Sequence, residues 1–209
     1  MTGLNALKLD ANVVVLGKDR VGKSALTVRF LSRRFIGEYG NIESIYSHNV
    51  VMDGRDITFN IWDSPCCQVL RNVNIQSIIM QKKVQWANGF VLVYSICDRA
   101  SFNSVTKLIQ SIKDFQGMVM VPMVIVDNKR DLNHRWTVLS EEGRMLTLTI
   151  DCQFYVVSAA ENYYSVLMVF HGLIDRIWKS KSAIKKQAGI KDIVKSMSAV
   201  FARRRTDSL

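Results

Sequence analysis

Residues Gly17 to Ser24, reading Gly-Lys-Asp-Arg-Val-Gly-Lys-Ser, carry the side-chain types that grip a phosphate. Gly17 and Gly22 let successive backbone N–H groups turn toward an anion, with Asp19, Arg20 and Val21 completing the loop between them. Lys23 has the reach for β- and γ-phosphate oxygens, and the Ser24 hydroxyl is a hard oxygen ligand for Mg²⁺. The setting fits the pattern: the apolar run Val13 to Leu16 precedes it, and a helix-like segment from Ala25 to Leu31 follows. A helix N-terminus there adds its dipole to the cradle. A chance glycine-rich turn would not place all eight positions between a strand and a helix.

The elements that must position this loop follow from the alternation of patterns along the chain. Tyr46 to Met52 and Ile57 to Trp62 read as two strands joined through Asp53-Gly54, a hairpin signature. The stretch Val69 to Trp86 mixes loop and short-helix character. Gly89 to Ser95 and Val121 to Val126 read as buried strands, with Ser101 to Phe115 at helical period between them. Ser140-Glu141-Glu142 opens a helix with acidic residues in its first turn, Phe154 to Val157 is the last strand, and Val166 to Trp178 the closing helix. Strands alternating with helices predict an α/β fold, a six-stranded, mostly parallel sheet with one antiparallel strand and helices on both faces. In such folds ligands sit beyond the carboxyl ends of the strands. Asp63, Asn128-Lys129-Arg130-Asp131 and Ser158-Ala159-Ala160 all fall there, so four distant segments are expected to converge on one site.

With 209 residues and 48% hydrophobic content, one domain with a sizeable core is expected. The predicted organisation is a short lead over residues 1–10, a domain over 11–178 and a basic tail over 179–209. No secretory leader pattern opens the chain and no apolar run reaches a membrane-span length, so an intracellular, cytoplasmic location is expected. The four cysteines, Cys66, Cys67, Cys97 and Cys152, lack zinc-ligand spacing, and neither a disulfide nor a thiolate metal site is expected. The chain carries a net charge of +10, of which the tail from Lys179 supplies +7 through nine basic residues against two acidic ones. A basic tail meets anionic membrane, nucleic acid or an acidic partner, and its unspecific alternative is a solvated tail.

The order of Gly17 to Ser24, Asp63, Asn128-Lys129-Arg130-Asp131 and Ser158-Ala159-Ala160 resembles the Ras-like small GTPases, whose domain is the P-loop NTPase G domain, over roughly residues 11 to 178. The segments Val21 to Leu31, Arg34 to Tyr39 and Trp86 to Tyr94 are most similar to the branch that contains the Ras-related oestrogen-regulated growth inhibitors. The resemblance implies GTP/GDP and Mg²⁺ as ligands. It assigns guanine recognition to Asp131, whose carboxylate would accept from the ring N1–H and the exocyclic amine, a pairing adenine does not offer. Asn128 would contact N7/O6, Lys129 would pack its stem on the base, and within the guanine-binding loop Ser158, Ala159 and Ala160 the backbone of Ala159 would meet O6. Phe35 would stack edgewise on the base, although a lone aromatic is more often core. Leaving such a carboxylate unpaired costs on the order of a few kcal/mol, enough to reject adenine.

The hydrolytic parts depart from that family. Phosphoryl transfer needs an in-line water, charge stabilisation and Mg²⁺ in register. The third P-loop position, normally Gly, is Asp19, whose carboxylate should crowd or repel the transition state. The Thr that ligates Mg²⁺ is missing and Asn41 stands nearest, so the expected metal set is Ser24, Asp63 through water, and Asn41. Asp-Thr-Ala-Gly-Gln becomes Asp63-Ser64-Pro65-Cys66-Cys67, with Gln68 one place late, and a thiol does not both accept from water and donate to phosphate as an amide does. No confident catalytic residue results: Gln68 is a candidate only after a loop shift, and Lys23 acts electrostatically. Cys66-Cys67 reads as a redox or acylation site or, more simply, as a tolerated replacement in an exposed loop. The expected switch-loop residues are Ile36, Tyr39, Asn41, Glu43, Asp63, Cys66, Cys67 and Gln68, and protein effectors are the expected partners of a monomer, with no specific nucleic acid.

Gly at the third rather than the second position predicts no myristoylation, and the ending Arg-Thr-Asp-Ser-Leu predicts no prenylation. Ile190, Ile193, Val194, Met197, Val200 and Phe201 at helical spacing, with Lys191, Lys195 and Arg203, suggest a basic amphipathic helix for an anionic membrane surface or an acidic groove. Arg203 to Arg205 is a weak nuclear-import signal. Two functions are open: a signalling switch with slow or impaired GTP hydrolysis, and a pseudo-GTPase module that holds one conformation. A P-loop kinase using ATP is a distant third.

Overall fold

Strand β1 (Lys8–Leu16) begins well before the valine run that marks it in the sequence. Its first half alternates exposed Lys8 and Asp10 with buried Leu9 and Ala11, the period of a half-buried strand. Charged residues outside and a small Ala inside made that half read as a ragged lead. The computed structural model describes residues 8–40, 42–64, 73–116 and 121–183.

The hairpin of β2 (Ser44–Met52) and β3 (Arg55–Asp63) turns through Asp53 and Gly54, with φ of 49° and 72°. Positive φ at both central positions matches the right-handed strand twist, which is why Asp-Gly serves there. Strands β4 (Gly89–Ser95), β5 (Met123–Asn128) and β6 (Gln153–Val156) complete a six-stranded sheet in the order β2-β3-β1-β4-β5-β6. All pairings except β2 with β3 are parallel. β1 lies between β3 on one side and β4 on the other, and the connections leaving β1 and β3 turn to opposite sides of it, so the end of β1 is the switch point where such sheets open a crevice.

Five α-helices occur among the described residues: α1 (Lys23–Ser32), α2 (Val73–Trp86), α3 (Arg99–Phe115), α4 (Ser140–Ile150) and α5 (residues 163–183), besides a short 3-10 helix over Arg130–Arg135. They cover both faces of the sheet, as expected. On one, Phe30 of α1 stacks on Phe170 of α5 with ring centroids 4.1 Å apart, and Phe59 of β3 meets Phe30 edge-on at 5.1 Å. On the other, Val14, Leu16, Phe90, Leu92 and Ile125 pack beneath Met80 and Val84 of α2 and Val105, Ile109 and Ile112 of α3. The hairpin turn is tied to α5 by Asp53–His171 at 3.2 Å and by Arg55–Asp175 at 3.4 Å.

Helix α2 corrects the sequence reading, in which Val69 to Trp86 mixed loop with short helix. It is a continuous helix of 14 residues. Its polarity pattern conceals it: Met80 and Val84 are buried, but Ile75 and Ile78 face solvent and Lys83 is buried, which breaks the amphipathic stripe. Strand β5 also extends two residues beyond the expected Val126, so Asn128 ends a strand.

The chain up to Ile177 makes one compact unit, and the stretch from Trp178 onward a second. The expected amphipathic segment Ile190 to Phe201 and the arginines Arg203 to Arg205 lie outside the described residues. No helix among the described residues is long and apolar enough to cross a membrane.

Candidate nucleotide-binding site

The turn from β1 into α1 fits glycine at two positions for different reasons. A Cβ on Gly17 would lie 2.2 Å from the carbonyl oxygen of Val93, because the loop runs directly over β4. Gly22, the residue that caps α1, has φ of 96°, and a Cβ there would lie 2.3 Å from Asn128 Nδ2. Arg20 also adopts a left-handed conformation, with φ of 62°. No side chain caps the first turn of α1, so its free N–H groups and the positive end of its dipole are offered to an anion. Lys23 is buried in the same loop, its Nζ donating to the carbonyls of Gly17 at 3.1 Å and Lys18 at 2.9 Å. The ammonium is thereby positioned before any ligand arrives.

A cavity of about 680 Å³ opens over this loop, and five segments of the chain line it. Asp19, Arg20 and Gly22 to Ala25 form its floor; Phe35, Gly37, Tyr39, Gly40 and Ile42 form one wall; Asp63 and Ser64 stand at the end of β3. Asn128, Lys129, Asp131 and Leu132 close the far side with Ala159 and Ala160. Of the residues singled out in the sequence, Gly17, Val21 and Ser158 sit behind the lining, and Ile36 and Glu43 lie off it. Asn41, Cys66, Cys67 and Gln68 lie outside the described residues.

At the end opposite Lys23, three short bonds fix the shape. Asn128 Nδ2 donates to the carbonyl of Val21 at 2.9 Å, and the backbone N–H of Ala159 donates to Asn128 Oδ1 at 3.2 Å. Asn128 is therefore a clasp that joins the P-loop to the segment after β6, a role its expected contact with a base did not include. One amide hydrogen and one lone pair are left for a ligand. Ser158 Oγ donates to Asp131 Oδ1 at 2.6 Å, which orients that carboxylate from behind. Lys129 takes φ of 69°, another left-handed non-glycine position at the cavity; strained backbone of this kind clusters at functional sites. Phe35 is partly exposed and meets Tyr39 edge-on at 6.5 Å.

Asp63 is nearly inaccessible to solvent, and burial raises its pKa while the Ser24 hydroxyl and the Lys23 charge act to lower it. A buried carboxylate beside a serine hydroxyl is an all-oxygen donor set, the chemistry that suits Mg²⁺. Asp19 Oδ1 is buried with no hydrogen-bond partner among the described residues, an orphaned acceptor at the cavity floor. Two residues beside the site were not singled out as site residues from the sequence. Ser64 lines the cavity one position after Asp63, and Lys83 of α2 reaches Ser64 from the protein interior.

Fold and site together define a P-loop nucleotide-binding domain of the G-domain type. The chain belongs to the Ras family, whose model matches residues 12–179. It is 39% identical to the bovine "Ras-related and estrogen-regulated growth inhibitor-like protein" over 94% of this chain and 98% of that one. It is also 39% identical to the zebrafish "Ras-like protein family member 11B" over 77% of this chain and 66% of that protein. The human "Ras-like protein family member 11A" is 39% identical over 83% of this chain and 72% of its own length. These relatives agree with the branch that the motifs indicated. Ras-family domains bind guanine nucleotide, generally with Mg²⁺, and are generally GTPases.

Proposed function

We propose that this protein is a guanine-nucleotide-binding switch whose own GTP hydrolysis is slow. The observation that carries the reading is the convergence of Lys23, Asp63, Asn128 and Asp131 on one cavity of nucleotide size. In this reading the N–H groups from Gly17 to Ser24 and the Lys23 ammonium bind the phosphates. Asp131, held by Ser158, reads the guanine edge, with Lys129 and Phe35 flanking the base and Ala159 and Ala160 below it. Ser24 and Asp63, with Asn41, would hold Mg²⁺, which when bound would neutralise phosphate charge.

Slow hydrolysis follows from the residues that flank the phosphate end. Asp19 places a negative oxygen where charge develops on the transferring group, and electrostatic stabilisation at that position is a large term in phosphoryl transfer. Cys66 stands where the family has the glycine whose N–H meets the γ-phosphate, Cys67 stands where it has the amide that orients water, and Gln68 lies one residue late. A second reading, a module that binds nucleotide without cycling, is favoured by the same Asp19 carboxylate. Effectors would meet the loops around Ile36, Tyr39 and Glu43, in a protein that acts inside the cell as a monomer, with its basic tail turned to an anionic membrane surface or to nuclear import.

A single-turnover assay with labelled GTP on the whole chain separates the readings. Slow phosphate release that disappears in Lys23→Ala supports the switch. Tight binding without release supports the module, and a protein that takes up no guanine nucleotide refutes both.

A further inference from the structure

Lys83 is the most deeply buried cation among the described residues, with its side chain 1% exposed. Burying an ammonium costs several kcal/mol unless its charge and all its donors are met. Among the described residues three groups meet it, from two segments that approach the cavity. Its Nζ donates to Ser64 Oγ, just past the end of β3. It lies 3.8 Å from Glu43 Oε1, just before β2, and 5.6 Å from the ring of Trp62. Trp62 Nε1–H in turn donates to the same Glu43 oxygen at 2.8 Å, and Trp86 packs edge-on against Trp62 at 5.4 Å. Lys83 itself does not line the cavity, yet both segments that it holds do: Ser64 is on the lining, and Ile42 beside Glu43 is too.

We propose that Lys83 is a positioning residue of the nucleotide site, an internal clamp from α2 that holds the segment entering β2 against the segment leaving β3 and thereby slows nucleotide release. The inference rests on the functional reading for the identity of the nucleotide, and on the structure alone for the clamp. A nucleotide leaving past Asp63 and Ser64 needs these segments to part, and parting them strands a buried ammonium. Only the ammonium of this cluster is buried, Glu43 being about half exposed, and truncating the buried member acts mainly on the rate of departure.

The test uses the full chain loaded with a fluorescent GDP. Lys83→Met should release it about tenfold faster, whereas Lys83→Arg, which keeps the charge and a donor, should stay within about threefold of the wild type. Amide exchange should rise at residues 42–45 and 62–64 and stay unchanged in β5, a pattern that a general loss of stability does not produce. If Lys83→Met does not fold, Ser64→Ala and Glu43→Gln should each speed release, and their combination should be less than additive. Release and local exchange within about twofold of the wild type in these variants would overturn the clamp. A wild-type chain that cannot be loaded with GDP overturns the functional reading instead, and the exchange pattern alone then decides for or against the clamp.

Discussion

At Asp127, strand β5 delivers a fully buried carboxyl group into the core beneath α4, one residue before Asn128. Neither oxygen has a partner in hydrogen-bonding geometry among the described residues, although Tyr94 and Ser140 lie near enough to favour the anion somewhat. Burial dominates and pushes the pKa up to about 7 from an ordinary 3.8. The folded state therefore holds this proton more tightly than the unfolded chain does. As pH rises from about 4 to about 7, the unfolded carboxyl ionises freely while the folded one resists, so stability falls across that window by a few kcal/mol and levels off above it. Asp127→Asn should remove that dependence. Urea melts should show the variant gaining over wild type at pH 8 and gaining little at pH 4. An equal gain at both would mean that Asp127 is ionised in the fold. The contrast with Glu142 is instructive: it is held down to about 2 by Arg99, which pairs with it through both oxygens at the start of α4.

Between elements, the site depends on Asn128, whose amide joins the turn into α1 to the segment between β6 and α5. Asn128→Ala would leave the Val21 carbonyl and the Ala159 N–H without their partner in a buried place. The loss should destabilise the fold by about 2–4 kcal/mol and weaken nucleotide binding at once, since each orphaned group keeps its desolvation cost. Denaturant melts with and without GDP would check it, and an unchanged midpoint with normal binding would contradict it. Elements whose patterns follow simple periods were readable from the sequence: β4 is buried throughout because both its faces are covered, and the Asp53-Gly54 turn announces its hairpin. Helix α2 was not readable as a full helix, because exposed Ile75 and Ile78 and buried Lys83 break the apolar stripe that Met80 and Val84 begin. Lys83 was invisible for the same reason. A buried lysine makes sense only once Glu43, Ser64 and Trp62 are known to surround it, and those contacts span distant parts of the chain.

For the whole molecule, the topology does the gathering. With β1 at the switch point, the loops after β1, β3, β5 and β6 reach one rim, and motifs far apart in sequence line one cavity. That convergence could be anticipated from strand order and motif placement. The internal wiring could not: Ser158 behind Asp131 and Asn128 across two loops are side-chain bonds that no periodicity encodes. The central claim is that this rim encloses a guanine nucleotide, with Asp131 reading the base. Competition of unlabelled GDP and ADP against a fluorescent GDP on the wild-type chain and on Asp131→Ala tests it most directly. A site whose buried polar group is matched by only one base rejects the other strongly, so the wild type should prefer GDP by at least about a thousandfold and Asp131→Ala should lose most of that preference. Equal binding of the two nucleotides by the wild type, or a preference untouched by Asp131→Ala, would contradict the account.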